Sequence, residues 1–430
     1  MRSHPLFRKP RLDSKPSVRL ARIEAGFDAA EGDSWTLKTS ADGVARPDLE
    51  ISRLELSAQG TLDQTGATRL TGSLVAGLRG LALDDAALQQ AIGEVVSLAG
   101  KFDWTSGGAL DLDEFGLRGE DYTAELAGRM QGLDSGFELS GAARVDARYI
   151  ARFSGLAGRP LGGELNAQIT GSGAPLGGAF DLRLTATGQD LRAGIAQLDP
   201  LITGATVLVL DAARTETGTD IREFSLDGTA LTANARGTLR SDQSNLTFDA
   251  TLDDLARILP QAKGPVDLSG NLRQQDQTVT GNINLTGPDN ASLRLDGERR
   301  ADGSVDASYR AILTRLERFV PQLAGSLLAN GQASRSASAE WQATGTTSGT
   351  AGIAGTFDAS FAEATGATDA RFDATFQRIE RLVPQISGDV TARGRAQRAA
   401  DARWLIGAES AGSAGLAGNL RATYDETAGT

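Results

Sequence analysis

The sequence predicts a mainly β fold, drawn out as an elongated repetitive β-solenoid or long rolled sheet with short amphipathic helices between its repeats. Three observations predict it. Apolar and polar residues alternate with a period of two along most of the chain, a core pattern recurs at a fixed interval, and the composition is rich in glycine and poor in aromatic residues. The 430 residues include 52 Gly, 12 Pro and no Cys, and only 5% are aromatic. That is enough chain for a packed structure, but it is aromatic-poor for an ordinary globular enzyme of this size.

The alternation is the mark of strands with one buried face. It runs through AFDLRLTAT (Phe180, Leu182, Leu184, Ala186), NLTFDATL (Leu246, Phe248, Ala250, Leu252), PVDLSG (Val266, Leu268), TVTGNINL (Val279, Gly281, Ile283, Leu285) and ASLRLDG (Leu293, Leu295). Asp227-Gly228, Asp296-Gly297 and Asp302-Gly303 read as turns between such strands, because both residue types tolerate tight backbone reversals.

The repeat is clearest in FDATLDDLARILPQAKGPVDLSG from Phe248, YRAILTRLERFVPQLAGSLLANG from Tyr309 and FDATFQRIERLVPQISGDVTARG from Phe372, with a weaker copy from Leu191. Prolines 200, 260, 321 and 384 mark a step of roughly sixty residues. The copies are delimited as 189–247, 248–308, 309–371 and 372–430. Ahead of each proline stand Ile195 and Leu198, Leu255 and Ile258, Leu316 and Phe319, or Ile379 and Leu382. Their three-residue spacing predicts a short helix with a shared apolar face, which the proline then ends. Gly204, Gly264, Gly325 and Gly388 follow each proline by four residues, where a positive φ is expected as the chain turns into the next strand.

Arg257, Arg318 and Arg381 recur at one repeat position and are read as lying on the polar helix face, with lipid head-group contact as the alternative. LDDAALQQAIGEVVSLAG from Leu83 reads as a further helical stretch, and it and ARYIARFSGLAGRPLGG from Ala147 read as degenerate earlier copies. Residues 1–20 are taken as a basic disordered leader, or the start of a fragment, and 21–430 as one continuous array. Units that cannot close their own cores bury them against their neighbours.

The chemistry of an enzyme is not legible. His4 is the single histidine, so triads and multi-histidine metal sites have no members. The absence of cysteine removes thiolate and zinc chemistry; it also gives a slight push towards an oxidising compartment. GSGAPLG from Gly171 misses dinucleotide-binding spacing and reads as a turn, and DLDEFG from Asp111 fails as a calcium loop because Phe115 and Tyr122 occupy ligand positions. The many carboxylates are read as solvated turn formers. No catalytic residue, cofactor or metal is expected. A net charge of -12 repels a phosphate backbone, which excludes nucleic acid as a partner. No window is long and apolar enough to span a bilayer.

Taken together, the repeat length, the LxRLxPxxxG-like segments and the Gly-rich, Cys-free composition resemble the TamB family. The phrases FSGLAGRPLGGELNAQITGSG from Phe153 and PLGGAFDLRLTATGQDLRAGIAQLDPLITG from Pro175 are similar to the middle of such chains. The resemblance covers nearly everything after about residue 20 and implies an internal fragment of an AsmA-like, inner-membrane-anchored periplasmic protein. It further implies a β-taco, a curled sheet with an apolar groove that conducts phospholipids between inner and outer membranes. Partners implied in this way are phospholipid acyl chains and an outer-membrane barrel of the TamA kind, with a role in outer-membrane protein and autotransporter assembly. The membrane anchor and the C-terminal domain of that family have no counterpart here.

If strands stack in register, their apolar residues align into a stripe. The candidates for a lipid groove are Leu182, Leu184, Phe248, Leu268, Val279, Ile283, Leu293 and Leu295. Alternation alone leaves a second reading open, a closed structural or adhesive β-solenoid of the autotransporter-passenger type with a dry interior. A polysaccharide-degrading β-helix would need clustered carboxylates and an exposed aromatic stripe, and four Trp and four Tyr are scattered instead.

Overall fold

Period-two alternation is realised as antiparallel hairpins in the computed structural model. It describes residues 17–425 apart from 31–32, 133–136, 175–176, 260–261, 320, 382–383, 386, 400–401, 414 and 416, and it describes residues 420, 424 and 425 by their backbone alone. His4, Pro260, Leu382 and residues 1–16 of the expected leader lie outside the described residues. Residues 17–20 belong to the first strand rather than to a leader.

The chain divides into two structural units, Met1–Thr229 and Ala230–Thr430. The first holds β1 (Ser17–Asp28), β2 (Ser34–Arg46), β3 (Leu49–Asp63), β4 (Arg69–Leu83), β5 (Val95–Thr105), β6 (Leu110–Arg118), β7 (Tyr122–Gln131), β8 (Glu138–Ala147), β9 (Gly162–Ala174), β10 (Ala179–Arg192), β11 (Ala205–Thr215) and β12 (Gly218–Gly228). The second holds β13 (Leu231–Leu239), β14 (Gln243–Leu252), β15 (Val266–Gln275), β16 (Thr278–Thr286), β17 (Ser292–Arg299), β18 (Val305–Leu313), β19 (Leu327–Arg335), β20 (Glu340–Ser348), β21 (Ile353–Ala362), β22 (Thr368–Phe376), β23 (Val390–Arg398), β24 (Arg403–Gly412) and β25 (Gly418–Asp425).

Within each unit every strand pairs antiparallel with its neighbours in sequence, from β1 with β2 to β11 with β12, and from β13 with β14 to β24 with β25. The result is a meander. Among the described residues no pairing closes either sheet into a barrel. A β-helix, whose coils stack strand on parallel strand, is a different arrangement from both units.

The segments between repeats depart from expectation. Instead of an amphipathic α-helix, the crossover in each of the three clearest copies is one 3₁₀ turn, Leu255–Arg257, Leu316–Arg318 or Ile379–Arg381, and in the weaker copy the 3₁₀ turn Asp199–Leu201 contains Pro200 instead of ending at it. The expected stacking of residues three apart fails with it: Leu316 is buried, whereas Phe319 is 43% exposed and Ile258 is 55% exposed. The cause is a short circuit in the backbone. Leu255 donates to the Gly264 carbonyl, Leu316 to that of Gly325 and Ile379 to that of Gly388, all at 2.8 Å. A loop pinned this tightly has no length for a second helical turn.

Gly204, Gly264, Gly325 and Gly388 all adopt the positive φ that the sequence predicts, from +82° to +126°. The acidic side chain of the 3₁₀ segment returns to cap the glycine: Gly264 N–H donates to Asp254 Oδ1 at 2.9 Å, and Gly325 N–H to Glu317 Oε2 at 3.1 Å. The Gly264 amide and then that of Ala256 hold the Asp254 carboxyl below its ordinary range, and Glu317's own amide and then that of Gly325 do the same for the Glu317 carboxyl.

Two further readings need correction. Asp296-Gly297 is mid-strand in β17, paired with Ser308 and Ala307, because the chain reverses only at Asp302-Gly303, where Gly303 has φ +83°. Of the helical stretch from Leu83, only Ala86–Ile92 (α1) is helical. Asp85 caps it by accepting from Ala87 and Leu88, Gly93 stops it at φ +85°, and the β-branched Val95 and Val96 open β5.

Candidate functional site: the apolar face of the sheet

Directly paired residues of an antiparallel sheet point to the same side, so the register decides which side chains share a face. In the first unit Ile169, Leu184, Leu210 and Phe224 form one transverse row, and Gly171, Leu182 and Ala212 run beside it. In the second unit a row near the crossovers contains Leu268, Leu285, Leu293 and Ala311. The middle row runs Phe248, Gly270, Ile283, Leu295, Tyr309 and Gly331, and the next runs Leu272, Gly281, Gly297, Ala307 and Ala333.

All eight candidate residues therefore lie on the apolar face of their own unit: Leu182 and Leu184 in the first, and Phe248, Leu268, Val279, Ile283, Leu293 and Leu295 in the second. Each is half-buried rather than sealed. Val279 stands at the outer edge, opposite Gln274 and Arg299.

Full burial is concentrated at the crossover end of the strands. There Ile51, Leu81 and Val96 form one cluster, Tyr122, Ala147 and Ile150 a second, and Leu316, Leu323 and Ala351 a third. The crossovers fold over this end and remove it from water, at about 25 cal/mol per Å² of apolar surface. Farther along the strands, the face is covered mainly by its own side chains.

Glycine positions show how. A methyl group placed on Gly270 would meet the Phe248 ring at 2.6 Å, and one on Gly394 would meet the Phe372 ring at 2.7 Å. On the opposite face, the same group on Gly77 or Gly407 would meet nothing within 4 Å. Among the described residues, aromatic rings thus lie across glycines of the adjoining strand on the apolar side only.

The outer edge of this face carries a feature that alternation did not signal. Arg335 donates to Glu363 from Nε at 2.8 Å and Nη2 at 3.0 Å, and Trp341 Nε1 donates to the same carboxylate at 2.7 Å. These donors hold the Glu363 carboxyl at about 2. Arg335 also donates to the Gly303 carbonyl, as Arg398 does to that of Gly366. Trp341 and Arg335 could have been found as an apolar-phase position occupied by an amphipathic residue at each strand end.

The opposite face is polar and cross-linked by ion pairs. Arg183 meets Asp211 and Glu223, both at 3.1 Å, and Arg129 meets Asp111 at 2.7 Å. Carboxylates read as solvated turn formers, among them Asp181, Asp211, Asp369 and Asp373, instead lie within strands and pair with arginines. Because these pairs are exposed, solvent screens them and each contributes little to stability.

Arg257, Arg318 and Arg381 also differ from expectation. Arg257 pairs with Asp253 at 3.0 Å, whereas Arg318 reaches the Lys263 carbonyl and Arg381 the Ala324 carbonyl. Hollows on the surface border polar-face residues such as Asp358, Arg371 and Asp373, or Asp296, Ser308 and Gln332, and none of the eight candidates borders them. Among the described residues no group of acidic residues or histidines is arranged to hold a metal ion, and no helix is long and apolar enough to cross a membrane.

The fold and face define a protein built on an open, mainly antiparallel β meander with one apolar side. Comparison with protein-family models, curated proteins and solved structures finds no match for the chain.

Proposed function

We propose that the apolar face carries phospholipid acyl chains, and that the chain is part of a repetitive, curled β-groove of the TamB kind bridging inner and outer membranes through the periplasm. The observation that carries this reading is the row structure. Apolar side chains continue from strand to strand without a charged residue in the middle rows, yet they remain half-buried, so the face has apolar area left to cover. Each CH₂ laid on such a surface is worth about 0.8 kcal/mol, and the transfer needs no catalytic residue. Support for outer-membrane protein assembly, a TamA-like barrel partner and a continuous array over 21–430 belong to the same proposal through the resemblance of the sequence.

A structural role without lipid is the second reading. It is favoured by Phe248 and Phe372, which already fill the space over Gly270 and Gly394. Native mass spectrometry with lipid extraction on the purified 430-residue chain separates the two. Co-purifying phospholipid that is lost in Ile283→Asp/Leu293→Asp, with β content retained, is the expected result. A folded, lipid-free chain overturns the conduit in favour of the structural role.

A further inference from the structure

We propose that the polar face of the second unit holds an anion-binding site for a phosphate group, built on a row of arginines that crosses β22, β23 and β25. The row follows from the register. Asp358 pairs with Arg371, Arg371 with Arg395, Arg395 with Gly407, and Gly407 with Arg421. Like charges directly opposite on adjacent strands are destabilising, and here Arg371 and Arg395 face each other without an intervening carboxylate.

Existing partners account for only part of this charge. Arg395 is held by Asp369 and Arg393 by Asp373. Among the described residues Arg371 and Arg421 make neither an ion pair nor a side-chain hydrogen bond. The hollow over the row measures about 1230 Å³ and is bordered by these four arginines against three carboxylates, Asp358, Asp373 and Glu409. In a chain of net charge -12 that is a local cationic surplus.

Gly407 supplies the space. A side chain there would project into open solvent with nothing within 4 Å, so the row stays open at β24, between the backbone positions of Arg395 and Arg421. Guanidinium forks match the oxygens of phosphate bidentately.

The equivalent row one sequence copy earlier serves as an internal control. There Asp296, Ser308, Gln332, Thr344 and Asp358 pair in the same order. The hollow beside it, about 680 Å³, is bordered by no arginine. Ser308, Gln332, Thr344 and Asp358 thus give way to Arg371, Arg395, Gly407 and Arg421, which makes the cationic row a property of this copy and not of the fold. It lies on the face opposite the acyl-chain surface and stands independently of that proposal.

The phosphate could be free or part of a lipid head group, and the test separates these sources. Titration calorimetry of the full chain with inorganic phosphate and pyrophosphate is run beside flotation with phosphatidylglycerol and phosphatidylcholine vesicles. Saturable binding of the free anions identifies a soluble ligand. Flotation with phosphatidylglycerol but not phosphatidylcholine vesicles identifies a head group. In either arm Arg371→Gln or Arg421→Gln should weaken binding about tenfold, the loss expected for one charge-assisted contact, while Ser308→Ala leaves it unchanged. Both arginines are exposed, and circular dichroism checks that the variants fold. Gly407→Leu, which fills the gap and keeps the charge, should weaken binding as well. Absence of binding in both arms, or binding indifferent to all three substitutions, overturns the site.

Discussion

Arg318 donates from Nη1 to the main-chain carbonyl of Lys263 at 2.8 Å, fifty-five residues back along the chain, and Arg381 makes the same contact with Ala324 at 3.2 Å. Arg318 also meets Asp289 at 2.7 Å. One guanidinium therefore ties a crossover to the crossover before it. Arg318→Met should lower the stability of the second unit by about 1 kcal/mol, since the group is partly exposed and its ion pair is screened. Arg318→Lys should recover little, because an ammonium lacks the fork that serves two partners at once. The urea midpoint of unfolding checks both.

Gly270 lies beneath the Phe248 ring, and a new Cβ would meet Phe248 Cζ at 2.6 Å and the Asn282 carbonyl oxygen at 2.7 Å. Gly270→Val should cost about 1–3 kcal/mol through overpacking. Combining it with Phe248→Leu should return part of that loss by removing the ring tip, leaving the clash with the carbonyl. A double-mutant cycle in urea measures the coupling.

At Gly325, φ is +126° and a Cβ would come within 2.7 Å of the Ala351 amide nitrogen. Gly325→Ala should cost about 1–3 kcal/mol of backbone strain and loosen the loop pinned between Leu316 and Gly325. Amide exchange at Leu316 should accelerate in the variant before global unfolding does.

Glu363 provides a pH signature. Its carboxyl is held at about 2 by Arg335 and then by Trp341, below the ordinary value of 4.5. A depressed folded-state pKa means that the stabilisation is fully present above about 4.5 and is lost as pH falls through about 2. Thermal melts of the native chain and Glu363→Gln should differ most above pH 5 and converge near pH 2. A constant difference across that range would remove the ion pair from the account.

Much of this architecture was legible because it depends on local chemistry. Alternation located the strands of Leu182, Phe248 and Ile283, and the spacing of Gly204, Gly264, Gly325 and Gly388 located the positive φ positions. The helix between Leu316 and Phe319 was misread because a three-residue spacing also fits a single 3₁₀ turn, and the reciprocal bond to Gly325 that limits it is non-local. Asp296-Gly297 carried a turn signal, but cross-strand pairing overrode it. The Arg371–Arg395 row and the Glu363 cluster depend on register between distant strands, which alternation does not specify.

The meander has a mechanical consequence. Within each unit, among the described residues, each strand is bonded only to the strands before and after it, so tension applied along the chain peels a hairpin open one pair of hydrogen bonds at a time instead of shearing a whole strand interface at once. Either unit should yield in small steps at low force, and in the second unit the carbonyl contacts from Arg318 and Arg381 act as intermediate stops that hold the next crossover until they release.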